Sequence, residues 1–255
     1  MRLLFLGDIV GNCGRDAVVK TVPQLRRELD LDYVVANGEN IAGGRGITPK
    51  TADELFDCGI DIISGGNHTF QHREVYQYLD STEGITRPLN YPPGAPGRGI
   101  AHAGDLTLIN LIGRVFMGAD HDDPFRAVDQ ALETVGRNRF VLVDLHAEAT
   151  SEKQAMGWHL DGRVMAVVGT HTHVPTADNR LLPGGTAYCS DAGMCGARDS
   201  VIGDDIQSVL HRFQTQMPTR LAPATGPAVL NGLLIEADDT TKRATSIVRC
   251  DRLVC

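Results

Sequence analysis

Seven polar side chains of the types that bind metal ions each follow an apolar run of the sequence. Each lies where a predicted strand ends, and open α/β sheets bind ligands at the carboxyl ends of their strands. We therefore expect the seven to meet at one edge of a sheet and to form a two-metal hydrolase site. They are Asp8, Glu39, Asn40, Asn67, His146, His171 and His173.

The mixture of donors suits two divalent ions lying about 3.5–4 Å apart, because a carboxylate can bridge them while amides and imidazoles leave the site positive. The seven residues supply two carboxylates, two amides and three imidazoles. Two such ions, two carboxylates and a bridging hydroxide leave a residual charge of about +1. That charge would attract a phosphate, and the metal-bound hydroxide would be the nucleophile.

Each motif has a simpler explanation when it is taken alone. Asp8 could be a turn former or helix cap, and a lone histidine such as His146 is often structural. The pair His171 and His173 is more specific, because alternate residues of an extended segment point the same way. The joint pattern, rather than any single motif, favours a shared metal site.

His68 adjoins Asn67, so it can lean into the site without binding metal. A histidine in that position can donate a proton to a departing alkoxide. The alternative is a histidine at the start of a helix that contacts only backbone. We expect His68 to be the catalytic acid.

Size and composition favour one large α/β domain, residues 1–255, with an acidic surface. The chain is 42% hydrophobic, has a formal net charge of −8 and a pI of about 5.5. We expect no generic nucleic-acid binding. The chain has no run of roughly 20 apolar residues that would span a membrane. The short apolar run before Asp8 is too brief for a signal peptide, so we expect a cytoplasmic protein. Six scattered cysteines are expected to be free thiols, namely Cys13, Cys58, Cys189, Cys195, Cys250 and Cys255.

The elements predicted from periodicity alternate as strand and helix in the first third of the chain, which indicates a mainly parallel sheet. Thr48 and Pro49 are a good helix start. The Pro- and Gly-rich segment 87–99 is expected to be a loop that either lines the substrate cleft or forms an oligomer contact. We expect two packed sheets flanked by helices. The predicted strands are 2–7, 32–36, 60–64, 99–103, 106–112, 140–145 and 163–168, with 186–190, 228–236 and 243–249 as later, antiparallel strands. The predicted helices are 16–29 (with Pro23 as a kink or a late start), 48–57, 73–79, 124–135, 151–158 and 206–215.

The order of these motifs resembles that of the calcineurin-like metallophosphoesterases, and within them the YmdB-like branch of bacterial phosphodiesterases. The resemblance covers nearly the whole chain and implies a four-layer α/β/β/α sandwich. It rests on Gly-Asp, a carboxylate-Asn pair, Gly-Asn-His, a single His and Gly-Thr-His-Thr-His, in residues 7–11, 37–40, 66–69, 146–153 and 169–180.

The resemblance also implies roles for the site residues. Glu39 would bridge two ions, and His68 would be the proton donor. The family hydrolyses phosphodiesters, including cyclic nucleotides such as 2′,3′-cyclic AMP, usually with iron or manganese. By position, one ion would be held by Asp8, Asn40 and His173, and the other by Asn67, His146 and His171.

Two departures from the wider superfamily bear on the metal. Its usual Asp-x-His motif reads Asp8-Ile9-Val10, and its usual bridging Asp is Glu39. Asn40 would replace the lost histidine with an amide oxygen, which favours iron or manganese over zinc. Cys195 lies where the family usually has Thr, and we do not expect it to be a nucleophile.

Shortly after His146 come Glu148, Thr150 and Lys153, which could orient the ligands or contact substrate. Together the residues and the resemblance predict a two-metal phosphodiesterase acting on a small phosphodiester or nucleotide. In-line attack would be followed by protonation of the leaving oxygen. The alternatives are a phosphomonoesterase, and a metal-binding regulatory protein with vestigial catalysis. A homo-oligomer is a further expected association.

Overall fold

Fifteen strands and six helices make up the part of the chain that the computed structural model describes, residues 1–136 and 138–254. The strands are β1 (Arg2–Leu6), β2 (Asp8–Ile9), β3 (Tyr33–Asn37), β4 (Ile62–Ser64), β5 (Ile100–Ala103), β6 (Leu106–Ile112), β7 (Phe140–His146), β8 (Ala166–Thr170), β9 (Arg180–Leu181), β10 (Ala187–Cys189), β11 (Met194–Ala197), β12 (Ala228–Leu230), β13 (Gly232–Ala237), β14 (Ala244–Arg249) and β15 (Arg252–Val254). The helices are α1 (Gly11–Glu28), α2 (Pro49–Asp57), α3 (Val75–Ser81), α4 (Pro124–Thr134), α5 (Thr150–Leu160) and α6 (Ile206–Thr215).

These strands form three sheets. The first has the order β14-β13-β1-β3-β4, and the second has the order β5-β6-β7-β8-β10-β9. Strands β1, β3 and β4 are parallel, as are β6, β7, β8 and β10. The third and smallest sheet, β15-β12-β11-β2, was not predicted. The prediction of only two sheets was therefore wrong.

The central strands of the two larger sheets are buried on both faces, which explains why β1, β3, β6, β7 and β8 are almost continuously apolar. In β1, Phe5 packs into the core shared with the second sheet, whereas Leu4 packs into the core shared with α1, α2 and α3. In β7, Leu142 faces the first sheet, and Val143 faces the core that includes residues of α4 and α5. Alternate residues of one strand thus belong to different cores.

The start of α2 is as predicted. Thr48 is the N-cap, its side chain accepts a hydrogen bond from the backbone of Thr51, and Pro49 is the first helical residue. The start of α1 was predicted five residues too late, because a glycine-containing segment read as loop. The helix begins at Gly11 and continues through Pro23. Pro23 has no N–H to donate to the helix. The helix is nevertheless held against the sheet here, because Val22 beside Pro23 is buried.

Two predictions about the later strands were confirmed only in part. The strand at 186–190 was expected to be antiparallel, and β10 runs antiparallel to β9 but parallel to β8. The strand at 228–236 is two strands in different sheets, separated at Asn231. The side chain of Asn231 accepts a hydrogen bond from the backbone of Met194, which satisfies the ladder at the break. Polar turn chemistry inside an apolar run was the signal that periodicity alone missed.

Among the described residues, no helix is long and apolar enough to cross a membrane. Five cysteines are free thiols, as predicted: Cys13, Cys58, Cys189, Cys195 and Cys250. Cys255 lies outside the described residues.

Candidate metal centre

The predicted site residues meet at the carboxyl ends of the parallel strands. Asp8 follows β1, while Glu39 and Asn40 follow β3. Asn67 and His68 follow β4, His146 is the last residue of β7, and His171 and His173 follow β8. The side chains of Asp8 and His146 are completely buried, and Glu39 is 1% exposed.

Glu39 lies at the centre of the cluster. One carboxylate oxygen, Oε2, lies 3.3 Å from Nε2 of His146 and accepts a hydrogen bond from the backbone N–H of His68 at 2.9 Å. The other, Oε1, lies 3.1 Å from Nδ1 of His68 and accepts from the side-chain amide of Asn40 at 3.0 Å. Glu39, His146 and His171 each offer one ligand atom, and these atoms lie within 4.8 Å of one another.

His146 brings the second group of ligands together. Its Nε2 lies 2.9 Å from Oδ1 of Asn67 and 3.1 Å from Nδ1 of His171. Its Nδ1 lies 2.9 Å from the hydroxyl of Thr170, which itself donates to Asp144 at 2.7 Å. Because the hydroxyl proton goes to Asp144, Nδ1 of His146 donates to Thr170, and Nε2 is the ring nitrogen left to face the site.

Asp8 supplies an independent sign that a cation belongs here. Its buried Oδ1 has no hydrogen-bond partner among the described residues. It lies 3.7 Å from Nε2 of His173 and 3.8 Å from Nδ1 of His146. A buried carboxylate oxygen without a donor is costly unless a cation neutralises it. Nδ1 of His173 donates to the backbone oxygen of Ile202 at 2.7 Å, so Nε2 of His173 is left as an acceptor. These residues fit a metal ion.

Asn40 differs from the expectation in its orientation. Its amide oxygen lies 2.8 Å from Nδ1 of His68. Its amide nitrogen lies 3.0 Å from Glu39 and 3.3 Å from Nε2 of His173. The residue is therefore in the cluster, with the nitrogen rather than the oxygen turned toward His173.

The segment that carries His171 and His173 is not extended, so that part of the reasoning was wrong. Both residues have left-handed backbone, with φ of 101° and 64°. Such conformations in residues other than glycine cost free energy and occur often at functional sites. Asp191 holds the turn, because its Oδ2 accepts from the backbone and hydroxyl of Thr172 and from Lys153 at 2.8 Å.

The electrostatics of the cluster favour positive charge. Burial opposes ionisation of Glu39, yet His146 and His68 hold its pKa well below the usual range. Burial would lower the pKa of His146, but Glu39, Asp8 and Asp144 raise it to about 9. Burial and the neighbouring His146 lower the pKa of His171 to about 3. Burial raises the pKa of Asp8 despite the nearby His173.

Two supporting carboxylates were missed. Asp144 is completely buried, and burial raises its pKa to about 6 although Ser64 and Thr170 donate to it. Its sequence signal was an aspartate inside an apolar strand, two residues before His146 and on the same face. Asp191 forms a buried ion pair with Lys153. Nothing in the local sequence marks Asp191, because its partner is 38 residues away.

The three residues that follow His146 closely in the sequence make different contacts. Glu148 lies 3.1 Å from Nε2 of His171, and Lys153 reaches Asp191. Thr150 is the first residue of α5. Cys195 is completely buried, and burial raises the pKa of its thiol well above the usual value, which supports the view that it is not a nucleophile.

Gly66, the second of the two glycines before Asn67, has no room for a side chain. A Cβ atom at this position would lie 2.3 Å from Oε2 of Glu39 and 2.5 Å from Nε2 of His146. Any side chain would therefore occupy the space between the two ligand atoms. Only glycine lets the backbone pass this close to the cluster.

A mixed α/β fold with carboxylates, amides and imidazoles at the strand ends defines a protein of the metallophosphoesterase type. The sequence model of the YmdB-like protein family matches residues 4–250. The chain therefore belongs to the YmdB-like family, and the resemblance seen in the sequence is confirmed.

Individual relatives extend this result over the whole chain. The chain is 46% identical over 254 residues to a 2′,3′-cyclic-nucleotide 2′-phosphodiesterase of Bacillus subtilis, covering 98% of this chain and 96% of that protein. A hypothetical protein of Thermus thermophilus has a crystal structure with a TM-score of 0.93, 42% identity and full coverage of both chains. A novel phosphatase of Mycoplasma pneumoniae also superposes with a TM-score of 0.93, at 31% identity, over 100% of this chain and 94% of that one.

Proposed function

We propose that this chain is a metal-dependent phosphodiesterase that hydrolyses small phosphodiesters, with 2′,3′-cyclic nucleotides as the preferred class. The observation that carries the proposal is the convergence of Glu39, His146 and His171 beside the unpartnered carboxylate oxygen of Asp8, among the residues that the structure describes. The Bacillus subtilis relative supports the choice of a cyclic nucleotide.

The residues suggest how two ions would be held. Glu39 would bridge them, since its two oxygens face different partners, His146 and His68. We propose iron or manganese, because carboxylate and amide oxygens accompany the imidazoles. When bound, the ions would neutralise the phosphate and activate the attacking water. One ion would be held by Asp8, His173 and Asn40, whose amide would turn its oxygen from His68 toward His173 to bind. The other ion would be held by Asn67, His146 and His171.

His68 would deliver the proton to the leaving oxygen. Its side chain is 30% exposed, more than those of His171 at 22% and His173 at 11%. Nδ1 is 2.8 Å from the amide oxygen of Asn40 and 3.1 Å from Glu39, so Nδ1 carries the hydrogen and these two residues fix the ring. The remaining nitrogen, Nε2, is available to substrate, and its position at the rim suits proton exchange with water.

Several wider features belong to the same proposal. The three hydrophobic cores support a four-layer α/β/β/α order within a single domain, residues 1–255. An exposed apolar surface at α6 supports a homo-oligomer. Leu210 and Phe213 share one side of the helix and are 43% and 71% exposed, and Met217, just after the helix, is 59% exposed. A cytoplasmic location and the absence of generic nucleic-acid binding remain predictions from composition.

The test is a paired assay on the purified protein with manganese or ferrous iron. It compares bis-p-nitrophenyl phosphate with p-nitrophenyl phosphate and includes 2′,3′- and 3′,5′-cyclic nucleotides. We expect diester turnover, with 2′,3′-cyclic nucleotides hydrolysed best. A preference for the monoester would support the second candidate, a phosphomonoesterase, which the relative from Mycoplasma pneumoniae favours. No turnover with two ions bound would instead indicate a regulatory protein.

A further inference from the structure

Three aromatic rings form a row that begins at Phe70, two residues after His68. The ring centroids of Phe70 and Tyr91 are 5.3 Å apart, and those of Tyr91 and His121 are 4.7 Å apart. We call Phe70, Tyr91 and His121 the aromatic row. All three side chains are only partly buried, and Phe70 also packs against the first core and against Tyr76, whose ring centroid is 5.7 Å away.

The first ring is placed by the same turn that places His68. Thr69, between His68 and Phe70, is completely buried. Its hydroxyl donates to the backbone oxygen of Gly66 at 2.8 Å and accepts from the backbone N–H of Gly66 at 2.8 Å. This closed turn fixes the direction in which Phe70 leaves the site.

The other two rings are placed by Asn90. Its side chain donates to the backbone oxygens of Ile112 and Asp122, both at 2.8 Å, and accepts from the backbone N–H of Ile112 at 2.9 Å. Ile112 is the register partner of His146 across β6 and β7. Asn90 thus ties the loop carrying Tyr91, and the segment carrying His121, to the strand end beside a metal ligand.

The electrostatics of Tyr91 agree with the placement that the Asn90 hydrogen bonds give it. Burial raises the pKa of the Tyr91 hydroxyl, and the carboxylate of Glu39 raises it further. The sequence left open whether the loop 87–99 lines a cleft or forms an oligomer contact. The attachment of Asn90 to Ile112, the register partner of His146, favours the cleft.

We propose that Tyr91, supported by Phe70 and His121, is the surface on which the nucleobase of the substrate stacks while its phosphate lies at the metal centre. The inference rests on the proposed phosphodiesterase function and adds the group that the enzyme recognises. Stacking of a base on an aromatic side chain contributes about 1–3 kcal/mol and tolerates any base. Rings already packed against each other lose little conformational freedom when the base arrives.

The experiment compares two cyclic diesters that differ in the base. One is 2′,3′-cyclic AMP, and the other is ethylene phosphate, a five-membered cyclic phosphodiester without a base. We expect Tyr91→Ala to lower the ratio of kcat/KM on the first to that on the second by about 5–150-fold, mainly through KM. Tyr91→Phe keeps a ring of the same shape and should keep the ratio of the wild type.

Trp158→Ala is the matched control, because Trp158 is an exposed aromatic residue whose ring lies under the guanidinium of Arg180. It should leave the ratio unchanged. If Tyr91→Ala lowers turnover of both diesters equally, Tyr91 is structural and the stacking proposal is overturned, while the phosphodiesterase proposal stands. If the wild-type protein with metal hydrolyses neither diester, the proposed function itself fails, and the stacking proposal fails with it.

Discussion

Oδ1 of Asn67 lies 2.9 Å from Nε2 of His146, and Oε2 of Glu39 lies 3.3 Å from the same nitrogen. Both oxygens are acceptors, so Nε2 faces them either as a donor or with a cation shared among the three atoms. Burial would lower the pKa of His146, but Glu39, Asp8 and Asp144 raise it to about 9, so these acceptors favour positive charge at Nε2. A metal ion bound there would take the place of the proton.

Gly66 gives the first prediction. Gly66→Ala should lower turnover by about 100-fold or more, because its Cβ would push the Glu39 and His146 ligand atoms from their positions. Metal content after dialysis, measured by atomic emission, should fall in parallel. The control is Gly136→Ala, since no heavy atom of the described residues lies within 4 Å of the added carbon there. Its effect on stability should be neutral to favourable, up to about 1 kcal/mol. Full metal content in Gly66→Ala would contradict the geometry.

His68 gives the second prediction. His68→Ala should lower kcat by about 10²–10⁴-fold, the usual contribution of a general acid. The two metal ions should stay bound, because Glu39 and Asn40 keep their other partners. The readout is kcat on diesters with leaving groups of different pKa. The loss should be greatest for poor leaving groups, which need the proton most. Loss of metal along with activity would make the role of His68 structural.

The buried ion pair gives the third prediction. Lys153→Met leaves the charge of Asp191 buried without its cation, and removing one partner of such a pair costs about 3–5 kcal/mol. Because Asp191 also accepts two hydrogen bonds from Thr172, we expect the lower end of that range. The free energy of unfolding in urea measures the cost. The double variant Lys153→Met, Asp191→Asn should recover part of it. Wild-type stability in the single variant would show that the pair is not needed.

Cys195 gives the fourth prediction. Cys195→Ala should keep turnover close to that of the wild type, because the thiol is completely buried and its raised pKa keeps it protonated at neutral pH. Removing the sulfur should lower stability by about 1 kcal/mol through the small cavity left behind. A loss of turnover larger than the loss of folded protein would reopen a chemical role for the thiol.

The sequence predicted the order of most strands and helices because their apolar periodicity is local. The helix at Ile206–Thr215 was placed at its observed bounds, and the capped start at Thr48 and Pro49 was found from two residues. The prediction of secondary structure failed where contacts between distant residues decide the path of the chain. The switch of the chain between sheets at Asn231 depends on a hydrogen bond from Met194, which is far away in the sequence.

The candidate site could likewise be predicted only in part. The clustering of the candidate residues could be predicted because each follows a strand, and strand ends meet at one edge of a sheet. The left-handed backbone of His171 and His173 could not be predicted from the sequence, because it depends on Asp191. The carboxylate Asp144 was visible in the sequence as a polar residue in an apolar strand, but its role required knowing that Thr170 lies opposite His146.

The central claim is that the buried cluster holds two catalytic metal ions. The most direct test strips the purified protein with a chelator and then titrates manganese or ferrous iron back, measuring hydrolysis of 2′,3′-cyclic AMP and bound metal in the same samples. We predict that activity disappears on chelation and returns to a plateau at two ions per chain. Undiminished turnover by the metal-free protein would contradict the claim.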